Sequence, residues 1–136
     1  MRDIKQLLAT VRTIAVVGFS NEAEKPGHYV PHYLHEAGYR IIPINPRVAE
    51  AWGERGFASL RDIPDPVELV LVFRRAEFCA DVVRDALAMA HRPTIIWLQS
   101  GIISTEAEGL ARAAGITFVQ DRCLMIEHRH AHIDTP

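Results

Sequence analysis

The sequence contains few cysteines and no long hydrophobic run. Only Cys79 and Cys123 occur among 136 residues, and they form no C-x-x-C motif, which excludes a disulfide scaffold and favours reduced thiols. The longest apolar runs have four to six residues, whereas a membrane-spanning helix needs about 20. A basic segment followed by an apolar run, the pattern of a secretory signal, is missing at the N-terminus. These absences predict a cytoplasmic protein that does not enter a membrane.

An excess of positive charge is also absent. The chain has 15 Lys and Arg residues against 17 Asp and Glu residues, a formal net charge of −2, and a pI near 6.4. Because nucleic-acid binding depends on a basic surface, we expect no nucleic-acid partner, and any anion site has to be built locally. Lysine is scarce, since only Lys5 and Lys25 occur.

Apolar runs alternate with amphipathic segments along the chain. A length of 136 residues suits one domain with a full core, and strand–helix alternation is typical of a parallel sheet covered by helices. We predict a single-domain, three-layer α/β fold of Rossmann-like architecture, with a five-stranded parallel sheet in the order 3-2-1-4-5. The expected strands are 13–18, 40–45, 67–73, 94–98 and 116–120, and the expected helices are 28–37, 76–91, 104–114 and an N-terminal helix within 1–11 behind Asp3.

One long connection is harder to assign. Residues 46–66 are rich in proline and glycine, so we expect at most a short strand or helical turn near 57–62.

The first strand ends in a glycine turn. The run Ile14-Ala15-Val16-Val17-Gly18 is followed by Ser20, Lys25 and Pro26. A strand that turns at a glycine into a helix presents backbone N–H groups to phosphate. The second and third glycines of G-x-G-x-x-G are absent, and so is the P-loop pattern. Ser20 and Lys25 would add a hydroxyl and a charge beside a helix that starts near Pro26; otherwise Gly18 is only a tight turn.

The end of the second strand argues against NAD. NAD-binding domains place an Asp or Glu there to hold the ribose hydroxyls, whereas this chain has Asn45-Pro46-Arg47. Arg47 is compatible with a phosphate on the ribose, as in NADP or in the 3′-phosphate of coenzyme A, and Pro46 would offer adenine an apolar wall. The alternative is an ordinary Asn-Pro turn.

Polar residues also follow the next two strands. Phe73-Arg74 ends the third strand, and Gln99-Ser100-Gly101 ends the fourth. Ligands of open parallel sheets bind outside the carboxyl ends of the strands where the strand order reverses, so we expect strands one and four to flank a site. Structural alternatives are a core role for Phe73, a surface role for Arg74, and an ordinary loop at Gly101-Ile102 entering a helix capped by Ser104.

Together these motifs resemble a known family. The chain is similar to the stand-alone CoA-binding domain proteins, which are related to the CoA-binding Rossmann domain of the succinyl-CoA synthetase α subunit. The resemblance covers about residues 10–128 and rests on Ile14–Ser20, Lys25-Pro26, Gly38–Pro46, Phe73–Arg75, Trp97–Ile102, Asp121–Cys123 and Ile126–His128. It implies a CoA-binding domain whose ligand is surrounded by Gly18, Ser20, Lys25, Asn45, Pro46, Phe73, Arg74, Gln99 and Gly101.

The residues and the resemblance together predict a binding module with no catalytic or metal-binding group. Its ligand is coenzyme A or an acyl-CoA, and the protein would act as a carrier, a sensor or a partner subunit; a protein partner or a homo-oligomer stays open. The full set of expected ligand contacts is Gly18, Phe19, Ser20, Lys25, Pro26, His28, Asn45, Pro46, Arg47, Phe73, Arg74, Gln99, Gly101 and Ile102.

Other chemistries remain as alternatives. An NADP-dependent or other nucleotide-using enzyme would share the fold, although no nucleophile elbow or H-E-x-x-H motif is present. Cys123 would form a mixed disulfide with CoA if it acted as a redox switch, but a lone cysteine is usually a small buried hydrophobe. His128, His130 and His132 have a spacing that would suit a metal, but a flexible charged tail over 129–136 is the favoured explanation.

Overall fold

A five-stranded parallel sheet forms the centre of the protein. The computed structural model describes residues 3–131, and neighbouring strands of this sheet run parallel. All five strands expected from the apolar runs are present, each slightly shorter than expected. In chain order the elements are α1 (Ile4–Leu8), β1 (Thr13–Val17), α2 (Pro26–Glu36), β2 (Arg40–Ile44), β3 (Glu50–Ala51), β4 (Glu54–Arg55), a 3₁₀ turn (Leu60–Asp62), β5 (Leu69–Val72), α3 (Ala76–Leu87), β6 (Ile95–Leu98), α4 (Thr105–Ala113), β7 (Thr117–Val119) and α5 (Leu124–Ala131).

The strands lie in the order β2-β1-β5-β6-β7. The predicted fold class, a Rossmann-like α/β fold with a five-stranded parallel sheet, is confirmed. Counted along the chain, the strands of this sheet have the order 2-1-3-4-5, which corrects the expected order 3-2-1-4-5. β5 pairs directly with β1, where Val72 lies beside Val17, whereas the prediction placed it outside β2.

One sequence feature fits this arrangement. Pro43 in β2 lacks an N–H, which suits an edge strand.

The strand order also moves the expected ligand crevice. The crevice of an open parallel sheet forms where the strand order reverses, and here the chain reverses between β1 and β5. The ends of β1 and β5 therefore flank it, rather than strands one and four. Gly18 and Phe73 are the residues that directly follow these two strands.

The two faces of the sheet support two separate hydrophobic cores. Along β1, Ala15 and Val17 belong to a cluster that includes side chains of α3 and α4. Ile14 and Val16 belong to a second cluster, which includes side chains of α1, α2 and α5. The alternation follows from the two-residue period of a strand and gives the three layers that the sequence predicts.

The connection 46–66 contains a short hairpin that the sequence does not predict. β3 and β4 pair in antiparallel fashion, and Trp52 at the turn adopts a left-handed backbone with φ of +48°. The Trp52 ring stacks on His35 of α2, with 5.1 Å between centroids, so the hairpin packs against α2. Farther along, Phe57 forms a bridge with Ile44 on the outer edge of β2.

The C-terminal segment begins as a helix. α5 runs through Ala131, so residues 129–131 are helical where a flexible tail was expected; the remainder of that tail, 132–136, lies outside the described residues. Among the described residues the longest helix is α3, with 12 residues. Within residues 3–131, none of the helices combines the length and the apolar character required to cross a bilayer.

Candidate ligand-binding site

A cleft of about 830 Å³ opens at the carboxyl ends of the parallel strands. It lies where β1, β2, β5 and β6 end, and all of the expected ligand contacts except His28 and Pro46 line it. The lining residues are Gly18, Phe19, Ser20, Asn21, Glu22, Lys25, Pro26, Gly27, Asn45, Arg47, Val48, Phe73, Arg74, Arg75, Ala76, Gln99, Ser100, Gly101 and Ile102.

Gly18 joins the ends of three strands. It adopts a φ of +84°, and a Cβ at this position would lie 2.5 Å from the carbonyl oxygen of Phe73. Its N–H donates to the carbonyl oxygen of Ile44 at 3.1 Å. Both the left-handed conformation and the close approach require glycine, so the turn brings the ends of β1, β2 and β5 to the floor of the cleft.

Gly27 allows α2 to start directly against this turn. A Cβ on Gly27 would lie 2.9 Å from the Gly18 carbonyl oxygen, and the Ser20 N–H donates to the Gly27 carbonyl oxygen at 3.1 Å. In dinucleotide-binding folds the third glycine of the fingerprint permits close helix–strand packing. Gly27 serves the same purpose at a spacing that the fingerprint does not contain, which is why the sequence motifs do not reveal it.

Two helices of the described chain begin at the cleft without a side-chain cap. Lys25 is the N-cap of α2 and Arg75 is the N-cap of α3, and neither makes a capping hydrogen bond. By contrast, Asp3 caps α1 and Ser104 caps α4. The His28 and Phe78 N–H groups donate to the N-cap carbonyl oxygens of their own helices at 2.9 Å. Both helix starts keep the partial positive charge of a helix N-terminus beside a basic N-cap residue, which favours an anion.

Asn45 braces the loops and does not point freely into the cleft. Its Nδ2 donates to the Phe19 carbonyl oxygen at 2.8 Å, and its Oδ1 accepts the Arg47 N–H at 2.9 Å. Phe19 is 1% exposed and packs edge-on against Trp52, 5.4 Å between centroids. Asn45 therefore holds the turn after β1 to the turn after β2, and Phe19 contributes mainly backbone to the cleft.

The cations of the cleft have different partners. Lys25 Nζ pairs with the Glu22 carboxylate, and this hydrogen bond and charge raise the pKa of Lys25 above its ordinary value. The Arg74 guanidinium stacks 4.5 Å above the Phe78 ring, and Arg75 pairs with a carboxylate of its own helix at 3.3 Å. Stacking leaves the Arg74 N–H groups available to an anion.

The loop after β6 is held by the loop after β7 and by the start of α5. Gln99 is 5% exposed, and its Oε1 accepts the Leu124 N–H at 3.3 Å. Asp121 Oδ1 accepts the Gly101 N–H at 2.7 Å, and Asp121 itself has a φ of +57°. Asp121 is not among the expected contacts, but it positions the Gly101 turn that lines the cleft.

The two expected contacts outside the cleft lie beside it. His28 Nδ1 hydrogen-bonds to the Ser20 carbonyl oxygen at 2.8 Å, and its ring packs against Trp52. His28 therefore supports the turn after β1 without lining the cleft. Pro46 lines an adjoining recess of about 510 Å³, which shares Arg47 and Arg74 with the cleft.

The residues considered for redox and metal chemistry lie elsewhere. Cys123 does not line the cleft; it is partly buried and packs against the core beneath α2 and α5. Cys79 is buried, and burial raises the pKa of its thiol. Within the described part of the chain no group of three or more potential ligands is arranged for a metal, and His132 lies outside that part.

The family follows from a comparison with known proteins. A family model for a CoA binding domain matches residues 12–129. The chain belongs to this CoA-binding domain family. The matched region includes the Gly18 turn and most of α5, and it confirms the resemblance found in the sequence motifs.

Members and relatives differ in length. The uncharacterized protein YneT of Bacillus subtilis (strain 168) is 36% identical over 126 residues, covering 93% of this chain and 92% of that protein. The solved structure of cell-free ID.343 from Thermus thermophilus is 44% identical, with a TM-score of 0.88 over 94% of this chain and 96% of that one. The acetate–CoA ligase (ADP-forming) II subunit alpha of Pyrococcus furiosus is 26% identical over 133 residues, covering 90% of this CoA-binding domain and 29% of that subunit.

Proposed function

We propose that this protein binds coenzyme A or an acyl-CoA in the cleft and does not transform it, acting as a carrier, a sensor or a partner subunit. One observation carries the proposal. The uncapped starts of α2 and α3, with Lys25 and Arg75 as N-cap residues, border one cleft together with the Gly18 turn. This arrangement suits a pyrophosphate, because two helix N-termini and the basic residues beside them border the same cleft.

The shape of the site suits a long ligand with a nucleotide end. The cleft and the adjoining recess share Gly18, Asn45, Arg47 and Arg74, so one molecule can extend across both. The pyrophosphate would lie at the Gly18 turn, and the phosphorylated ribose would lie near Arg47. The opposite end, near Gln99–Ile102, would take the pantetheine arm.

The lining residues favour binding over chemistry. Among the described residues that line the cleft, Glu22 is the one carboxylate, and it is paired with Lys25. The same set of described residues contains no histidine or cysteine, the residue types that most often act as general bases or nucleophiles. The ligase subunit of Pyrococcus furiosus is longer than this chain, so its activity concerns a larger protein.

Calorimetry with a ligand panel tests the proposal. CoA, acetyl-CoA, dephospho-CoA, ADP, NAD and NADP are titrated into the purified protein. We expect saturable binding of CoA and acetyl-CoA, weaker binding of dephospho-CoA because Arg47 loses its phosphate, and no saturation with NAD. Saturation with NADP but not with the CoA species would overturn the proposal. Incubation with acetyl-CoA followed by mass analysis of the ligand checks for turnover, and hydrolysis or transfer above the rate without protein would contradict a purely binding role.

A further inference from the structure

The loop between β1 and α2 places a carboxylate on the cation of the site. The Glu22 N–H donates to Ser20 Oγ at 3.1 Å, and the Lys25 N–H donates to the Glu22 carbonyl oxygen at 3.0 Å. These two bonds close a turn in which the Glu22 side chain meets Lys25 Nζ. Both residues line the cleft, so the ion pair lies inside the site.

The Lys25 ammonium can pair either with the Glu22 carboxylate or with a bound phosphate. A phosphate bound at the start of α2 would lie where the Glu22 carboxylate now neutralises Lys25, and repulsion between two anions disfavours keeping both. We infer that Glu22 is a built-in competing anion, which a ligand with a pyrophosphate displaces from Lys25 and a singly charged ligand does not. The inference deepens the proposed CoA site and rests on it: Glu22 would set the affinity of the cleft and its preference for multiply charged ligands.

The exposure of the pair fits this exchange. The Lys25 and Glu22 side chains are 57% and 58% exposed, and exposed ion pairs are weak because water and salt screen them. The positive end of α2 favours either anion, so a pyrophosphate with greater charge can replace the carboxylate at little cost. A buried Lys25–Glu22 pair would instead keep the ligand away from Lys25.

Glu24 provides a matched control. It is an exposed acid in the same loop, also close enough to Lys25 to raise its pKa, but it does not line the cleft. Calorimetry at low ionic strength should show Glu22→Gln binding CoA about two- to fivefold more tightly, the range expected for release of an exposed ion pair. Glu24→Gln should change the affinity less, and on a Lys25→Ala background Glu22→Gln should give no gain. Equal gains from both glutamates, or weaker binding by Glu22→Gln, would overturn the inference.

A second readout does not depend on CoA. The chain has only two lysines, so side-chain NMR of Lys Cε resolves Lys25 from Lys5. In the free protein Glu22→Gln should lower the pKa of Lys25. Titration with inorganic pyrophosphate should shift the Lys25 signal of the wild type, and acetate should not. If CoA fails to bind, the proposed function fails; an unchanged Lys25 pKa in Glu22→Gln, or an equal response to acetate, overturns the competing-anion role by itself.

Discussion

The carbonyl oxygen of Phe73 lies 2.5 Å from the point that a Cβ on Gly18 would occupy. Gly18 follows β1 and Phe73 follows β5, the two strands between which the strand order reverses. Their close contact therefore lies at the floor of the cleft. We predict that Gly18→Ala destabilises the fold by about 2–3 kcal/mol, through a strained left-handed conformation and a displaced β5 end, and that it weakens CoA binding. Urea unfolding gives the free energy difference.

Gly109 is the control for this substitution. It lies in α4, and the space that a Cβ would occupy there is open, so Gly109→Ala should stabilise the protein by about 0.5–1 kcal/mol. If the two alanine variants unfold at the same urea concentration, the close approach of Gly18 and Phe73 does not constrain the fold.

Local patterns are sufficient to locate the strands but not to order them. An apolar run indicates that a segment is buried, so each strand can be located from its own residues. Pairing depends on contacts between distant segments, and the predicted order comes from a rule for dinucleotide folds. Pro43 carries relevant information, since a missing N–H favours an edge strand, but that rule takes no account of it.

The site is predictable to the extent that it consists of strand ends. Carboxyl ends of parallel strands meet at one edge, so Gly18, Arg74 and Gly101 can be grouped without a structure. The contribution of Gly27 depends on how closely α2 docks, and the bracing by Asn45 depends on backbone groups in two loops. Neither leaves a local pattern in the sequence.

Asp121 offers a test of how the far wall of the cleft is held. Asp121→Ala removes the acceptor of the Gly101 N–H and places alanine at a φ of +57°. We expect a loss of about 1–2 kcal/mol in unfolding free energy and weaker CoA binding. Asp121→Asn keeps a side-chain oxygen and tolerates the left-handed region, so it should recover more than half of both losses. Equal effects of the two variants would contradict the positioning role.

Arg74 tests the electrostatics of the proposed site. Arg74→Ala should weaken CoA binding by about 1–3 kcal/mol, because a charge-assisted contact to phosphate is lost, and it should reduce the salt dependence of Kd. Arg84→Ala is the matched control, since Arg84 is exposed and pairs with Asp81 and Glu106 on the outer surface. Calorimetry at two salt concentrations distinguishes them; equal losses would indicate a general charge effect.

His128 attaches α5 to the rest of the fold through two tyrosines. Its Nδ1 hydrogen-bonds to Tyr33 OH at 2.8 Å, and its ring packs edge-on against Tyr39. The residue is 5% exposed, and its Nε2 is buried without a partner among residues 3–131. Burial lowers the pKa of His128 below its ordinary value of 6.5, so the imidazole is neutral in the folded protein at neutral pH.

Stability should therefore fall on acidification, and His128 should account for part of the fall. The unfolded chain binds a proton at His128 near pH 6.5, whereas the folded chain does so only at lower pH. The contribution of neutral His128 to the free energy of unfolding is complete above about pH 6.5. Below that pH it decreases by at most about 1.4 kcal/mol per pH unit, until the pH falls below the pKa of His128 in the folded protein. Thermal unfolding from about pH 8 to about pH 5 should show a shallower decline for His128→Gln than for the wild type. His130 is exposed on the same helix, so His130→Gln should retain the wild-type slope; the same slope in all three proteins would contradict a buried neutral His128.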